Sequence, residues 1–372
     1  MRRLCYNSAN PPPSFSEWRN LRQKARAAGL DPNYWYAVEL AKHIQPGQVT
    51  EVIFWKRSIA LFRGQDGQLR AIENRCAHRQ LKLSLGEVDG CNLVCAYHGW
   101  AYDGDGRVVA IPHEHFGRKM PNFRVSHYPV RVRYGLVWIF PGDPARANER
   151  QIPDIPELER PNPWACQPLS FTCKAHHSMV IDNVSDFTHA HLHRKYKPFS
   201  GAKLVRCETI GDSVHVAYDT QVGRGRISGL FVDHKRINTN HMELCYEYPY
   251  QWSNTDNSIK HWLFVLPIDE HTTRAFFLFY FKSLKLPLLS IPIPRLAMDL
   301  VLRISNRLLI KPLLSQDQFA VEAEQQAYEA HWDAPIAELN PAVRAFQELT
   351  IGKWQAYLSV KAERDASTGV RT

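Results

Sequence analysis

Residues 76–100 read CAHRQLKLSLGEVDGCNLVCAYHGW, and the spacing of cysteine and histidine within them decides how the first third of the chain is read. Cys76-x-His78 is followed, after sixteen residues, by Cys95-x-x-His98. Each short stretch contributes one thiol and one imidazole. Two thiolates and two imidazoles from paired loops suit zinc, or a [2Fe–2S] cluster with both histidines on one iron. Zinc fingers place both histidines on one helix with longer spacings, so the mixed loops favour the cluster.

Around this segment, Tyr34 to about Pro141 runs as short apolar stretches cut by Gly, Asp and Asn turns ("TEVIFW", "YDGDGRVVAI", "YGLVWIFPGD"). That pattern predicts an antiparallel β domain over 34–150, after a helical extension over 1–33. A Pro- and Arg-rich linker at 143–165 leads to a larger α+β domain over 151–372. Its expected elements are a helical segment at about 174–196, strands such as "DSVHVAYDT", "HWLFVLPI" and "RAFFLFYF", and helices near 294–311 and 316–331. The last of these opens on "SQDQ", a capping-box pattern with Ser315 as N-cap.

The 372 residues, 44% hydrophobic and 22% charged, describe an ordinary globular chain. No apolar run of about 18 residues predicts a transmembrane helix, and the N-terminus has no secretory apolar region, so the cytoplasm is expected. Eight cysteines there are ligands or buried thiols before they are disulfides; Cys91 reads as a structural thiol. The formal charge of +9 suits an acidic partner or an anionic membrane surface. No basic run or helix-turn-helix signal supports nucleic acid binding.

A second constellation lies in "NVSDFTHAHLH", 183–193. If it is helical, Asp186, His189 and His193 share one side, and His191 falls nearly opposite His189. His189 and His193 then form an i, i+4 metal-binding pair. A facial triad for non-haem Fe(II) needs one carboxylate more. Asp317 is the candidate, with Glu322 as the fallback; the bland alternative for Asp317 is a favourable charge at a helix start.

The motifs C-x-H and C-x-Y-H-G-W resemble the Rieske domain of the Rieske non-haem iron oxygenases, and the likeness extends from about Tyr34 to Tyr357. It implies a fold with an N-terminal all-β Rieske domain, then an α+β catalytic domain of helix-grip type with an antiparallel sheet and covering helices. By this resemblance Cys76 and Cys95 hold one iron of the cluster, and His78 and His98 the other. Respiratory-chain Rieske proteins carry a disulfide beside the cluster; Leu81 and Tyr97 occupy those positions here, which fits the oxygenase type. The family's usual Pro and Gly are replaced by Ala77 and Gln80, and another Pro by Ala96, without loss of a ligand. The family's N-x-x-D-x-x-H matches Asn183, Asp186 and His189, and its late Asp ligand matches Asp317. Many members place the second histidine one residue later, at Arg194; the shorter spacing here gives His193. The resemblance further implies a homotrimer in which Asp186 links His98 of one chain to His189 of the next. It also implies electrons from NAD(P)H through a separate ferredoxin or flavin reductase, with O2 as the co-substrate.

The substrate is not written in any motif. The stretch 283–314 is apolar with Arg295, Asp299, Arg303, Arg307 and Lys311 recurring every four residues. Such an amphipathic helix is either core-packed with a solvated face, or a peripheral membrane contact or greasy entrance. The expected activity is hydroxylation or oxidative demethylation of a bulky apolar substrate of sterol, steroid or polycyclic terpenoid type, monooxygenation being favoured. The alternatives are a Rieske oxygenase acting on a small aromatic acid, a Rieske electron carrier without oxygenase activity, and a zinc-stabilised binding protein.

Overall fold

The computed structural model describes residues 11–120, 122–159, 164–193, 199–222, 240–283 and 293–368. Two units emerge from its internal packing. One comprises Pro32–Asp154 with Leu266–Asp269; the other holds the remainder, including the residues before Pro32. In the latter, α1 (Leu21–Ala27) is shorter than the charged stretch from Ser16 to Leu30 suggested, and it starts at Asn20, whose side chain accepts from Gln23 N–H.

The β unit is built from β1 (Tyr36–Leu40), β2 (Val49–Phe54), β3 (Arg57–Arg63), β4 (Leu69–Glu73), β5 (Glu87–Asp89), β6 (Asn92–Val94), β7 (Ala101–Tyr102), β8 (Val108–Ala110), β9 (His127–Tyr128), β10 (Val130–Arg133) and β11 (Leu136–Ile139). They pair as three small sheets, ordered β1-β11-β10, β2-β3-β4-β9 and β5-β6-β7-β8. The alternating strands bury Phe62, Ile72, Leu93, Tyr102 and Val125 in one core that also contains Cys76 and Cys95. The loops after β4 and β6 therefore carry their cysteines at the edge of a packed interior. Cys91, by contrast, is exposed in the β5–β6 turn, so burial gives it no structural part.

The α+β unit contains β12 (Ala165–Cys173), α2 (His177–Ser185), β13 (Phe199–Ile210), β14 (Ser213–Val222), β15 (Asn240–Glu247), β16 (Tyr250–Thr255), β17 (Ile259–Asp269), β18 (Thr272–Phe281), α3 (Arg295–Ser305), α4 (Lys311–His331) and α5 (Pro341–Thr368). Its sheet has seven strands in the order β12-β18-β17-β16-β15-β14-β13. In the three-residue loop of the β16–β17 hairpin, Asp256 and Asn257 both have φ of 48°, the paired left-handed conformation that matches strand twist, and Ser258 N–H closes the turn on Thr255 O at 2.9 Å. Register places Met242, Leu244 and Tyr246 of β15 on the same face as Gln251, Ser253 and Thr255 of β16 and His261 and Leu263 of β17. The α5 helix covers that face: Tyr246 stacks on Phe346 at 5.0 Å and its hydroxyl meets that of Thr350 at 3.0 Å.

Three local expectations differ from the structure. The helix expected over 174–196 ends at Ser185, because Asp186 turns extended and spends its carboxylate on Thr188 instead of continuing the ladder; residues 194–196 of that range lie outside the described ones. Ser315 is no N-cap, since α4 begins at Lys311 and the Ser315 hydroxyl bonds back to Pro312 O. That removes the helix-start reading of Asp317 as well. Finally, α5 was not anticipated, although Asn340 accepts from Ala342 N–H ahead of Pro341, a cap-and-proline start visible in the sequence. Of 283–314, residues 284–292 are not among those described.

Candidate metal centres

In the β unit the two cysteine loops are closed by matching backbone bonds. Gln80 N–H donates to Cys76 O at 2.9 Å and Gly99 N–H to Cys95 O at 3.0 Å. Cys76 N–H then meets Leu81 O at 2.8 Å, and Cys95 N–H meets Trp100 O at 2.9 Å. Both fourth positions are left-handed, with φ of 64° at Gln80 and 68° at Gly99. Glycine takes that conformation freely and glutamine does not, so Gln80 carries local strain where its counterpart has none.

These loops bring the imidazoles of His78 and His98 to 4.5 Å between centroids, with His78 stacked flat on Trp100 at 4.8 Å. Cys76 and Cys95 are buried free thiols. The Tyr102 hydroxyl accepts from Ala77 N–H at 2.8 Å and lies 3.2 Å from Cys76 Sγ, where its own O–H is available to a thiolate. Burial raises the Cys95 thiol above its ordinary value despite backbone donors at Tyr97 and His98. His98 is lowered by desolvation and by the charges of His78, Arg79 and His113.

Whether this set fits a cluster can be judged from its own atoms. His78 Nδ1 is buried without a hydrogen-bond partner, which for a native imidazole calls for a ligand. Among the described residues, only His189, His193 and Asp317 bring three donor atoms within 4.8 Å, the span of a single ion. Two buried thiols and two imidazoles held side by side on paired loops are the donor set of a two-iron cluster with both histidines on one iron. The quartet fits.

In the α+β unit, α2 and the 3₁₀ turn His189–His191 set up the second centre. Asp317 Oδ1 on α4 lies 3.4 Å from His189 Nε2 and 3.2 Å from His193 Nε2. Gln316 Oε1 accepts from His193 Nδ1 at 2.9 Å, turning Nε2 toward Asp317. Asn183 Nδ2 stands 3.5 Å from Asp317 Oδ1. Burial alone would raise the Asp317 carboxyl, but the two imidazoles hold it below its ordinary value. His193 is raised correspondingly, Asp317 outweighing its desolvation. Two imidazole nitrogens and one carboxylate oxygen on one side are the donor set of a non-haem iron site with open positions. His191 is exposed and stands outside the group. Glu322 also stands outside: its Oε1 accepts from Lys174 N–H and Gln318 Nε2.

Asp186 sits between α2 and His189. Its Oδ1 accepts from Thr188 N–H at 2.8 Å, from the Thr188 hydroxyl at 2.6 Å and from Asn340 Nδ2 at 2.9 Å. It lines a cleft of about 510 Å³ together with Asn183, His189 and Glu338. His189 Nδ1, facing away from the Asp317 contact, is buried without a partner. Sequence reasoning missed Gln316, Thr188 and Asn340, because polar residues that orient ligands carry no spacing signature; only the Asn340-Pro341 cap was visible.

Comparison with known proteins finds a family match over each of the two regions that carry these residues. The Rieske [2Fe-2S] domain family matches residues 34–129, and the vanillate O-demethylase oxygenase C-terminal domain family matches 173–350. A 4beta-methylsterol monooxygenase of Methylococcus capsulatus is 46% identical over 339 residues, 90% of this chain and 92% of that protein. The vanillate O-demethylase oxygenase subunit of a Pseudomonas species is 34% identical over 131 residues, 35% of this chain and 39% of its own length. The crystal structure of dicamba monooxygenase bound to dicamba superposes with a TM-score of 0.70 at 21% identity, covering 90% of this chain and all of that one, which establishes likeness of fold. The chain belongs to the Rieske non-haem iron oxygenases, as a monooxygenase-type enzyme with a Rieske [2Fe–2S] cluster, a mononuclear iron and O2 as co-substrate.

Proposed function

We propose that this enzyme hydroxylates or oxidatively demethylates a bulky apolar substrate of the sterol type. The observation that carries the reading is the methylsterol monooxygenase relative, which matches along nearly the whole of both chains rather than over the cluster domain alone. The chemistry of the interior supports it. Among the described residues the one buried Arg or Lys is Arg26, and it is already held by Asp182 and Glu324, each at 2.8 Å. A small aromatic acid would need a buried cation with a free face for its carboxylate. Among its described residues the sheet face under α5 has no charged side chain: it combines Met242, Leu244 and Leu263 with the neutral polar Gln251, Ser253 and Thr255, and Phe277 packs beside His261.

When bound, the cluster supplies single electrons and the mononuclear iron activates dioxygen. Cys76 and Cys95 with His78 and His98 hold the cluster, and His189, His193 and Asp317 hold the iron. Asp186 serves as the link between them across a trimer, from His98 of one chain to His189 of the next. With Oδ1 engaged by Thr188 and Asn340, its second oxygen remains to accept from the orphaned His189 Nδ1. Asn183 steadies the Asp317 carboxylate. Electrons come from NAD(P)H through a separate ferredoxin or flavin reductase. The enzyme works in the cytoplasm, with peripheral contact to a membrane; among the described residues no helix is long and apolar enough to cross one.

The test is turnover of the purified protein, supplied with a reductase and NADPH, on a 4-methylsterol and on vanillate, with products read by mass spectrometry. Oxygen incorporation at a sterol methyl group supports the reading. Conversion of vanillate with the sterol untouched overturns it.

A further inference from the structure

Leu296, Leu300, Ile304 and Leu308 run along the outer side of α3 and the π-helical turn Asn306–Ile310 that continues it, with exposures of 96%, 61%, 54% and 61%. The inner side of the helix accounts for its own packing: Met298, Leu302 and Ser305 are buried, and the helix lies against β12. The outer row is therefore not core. In an ideal helix a spacing of four drifts by roughly 40° per step. The wider π turn slows that drift, and Leu308 stays exposed with the others. One exposed leucine is ordinary, but a row of four is a patch and needs a partner.

Cations flank the row. Arg295, Arg303, Arg307 and Lys311 are all exposed. Arg295 is held by Asp299 at 3.0 Å, whereas Arg303, Arg307 and Lys311 have no ion-pair partner among the described residues. Apolar side chains beside uncompensated cations are complementary to a surface with an apolar interior and anionic headgroups.

We propose that this face docks on an anionic lipid bilayer, with α3 lying in the surface plane, its four apolar side chains at the acyl boundary and Arg303, Arg307 and Lys311 at the phosphates. The proposal gives a lipid-dissolved substrate a short path to the enzyme, but it does not depend on the substrate reading.

The test uses the full-length holoenzyme without substrate, floated with vesicles of phosphatidylcholine alone or with roughly a third phosphatidylglycerol. Wild-type protein is expected to float with the anionic vesicles, to be released by salt, and to bind zwitterionic ones weakly. Leu300→Glu/Ile304→Glu and Arg303→Glu/Arg307→Glu should each lose about tenfold or more in apparent affinity. An unchanged visible spectrum of the cluster shows that each variant is folded; if the first is not, the second carries the test. No flotation, or flotation indifferent to the variants, overturns the proposal. So does a fall in oligomeric state with Leu300→Glu/Ile304→Glu, since the row would then meet a second copy of this chain.

Discussion

Asn340 donates from Nδ2 to Asp186 Oδ1 at 2.9 Å while its own Oδ1 caps α5 through Ala342 N–H at 3.0 Å. One side chain thus starts the last helix and positions the carboxylate beside His189.

Removing that side chain separates the two roles. Asn340→Ala should cost about 1 kcal/mol of stability as a lost cap and reduce turnover roughly tenfold as a lost orienting contact. Asn340→Asp keeps the cap but sets a carboxylate against Asp186, so the helix start is retained while the like charges push Asp186 away and turnover falls further. Asp186→Asn should keep both metals and lose roughly 10–100-fold in turnover. Metal content with single-turnover and steady-state rates distinguishes these outcomes; full activity of Asp186→Asn sinks the bridging role.

Asp317→Ala and His193→Ala should abolish mononuclear iron while leaving the visible spectrum of the cluster intact. Glu322→Ala and His191→Ala should retain it, because Glu322 is spent on Lys174 and Gln318, and His191 lies outside the donor group. The EPR signal of the ferrous protein treated with nitric oxide reads the difference directly.

Stability should fall in acid. Burial pushes His261 down to about 3 and His177 down to about 4, and His176 is also well below its ordinary value. A histidine whose folded pKa is depressed stays neutral in the native state while the unfolded chain gains its proton below about pH 6.5. Their contribution is therefore flat above pH 7, and each fully buried imidazole removes up to about 2 kcal/mol by pH 5, offset in part by Asp182, which burial raises to about 6. Denaturant midpoints between pH 7.5 and 5 test this, and His261→Gln should flatten the slope.

Gln80→Gly should stabilise the β unit by about 1 kcal/mol, because φ of 64° is free for glycine and strained for glutamine. Gly99→Ala should do the reverse, since a Cβ there would stand 2.7 Å from Pro112 Cγ at φ of 68°. Thermal melts followed at the cluster absorbance would show opposite shifts at two equivalent positions.

The legibility of the sequence varied with the kind of constraint. Cys76, His78, Cys95 and His98 were readable because ligand chemistry restricts both residue type and spacing. His189 and His193 were reached through an argument that the structure does not keep, since α2 stops at Ser185 and a 3₁₀ turn brings the two rings together. Asp317 was found as a helix-start acid, yet it lies well inside α4. Gln316, Thr188 and Asn340 left no pattern, because each acts on a residue distant in sequence or through a local turn that many polar residues could make. The mixed polar and apolar face beneath α5 is likewise dispersed, two or three residues from each of several strands.

The paired loops around Cys76 and Cys95 have one more consequence. Each is closed by its own main chain, and both cysteines belong to the core that contains Phe62, Leu93 and Val125. Cysteine and histidine therefore ride together on one closed loop. A one-residue insertion or deletion in either loop would displace a thiol and an imidazole as a pair, so the spacing within each loop tolerates less change than the sixteen residues between them.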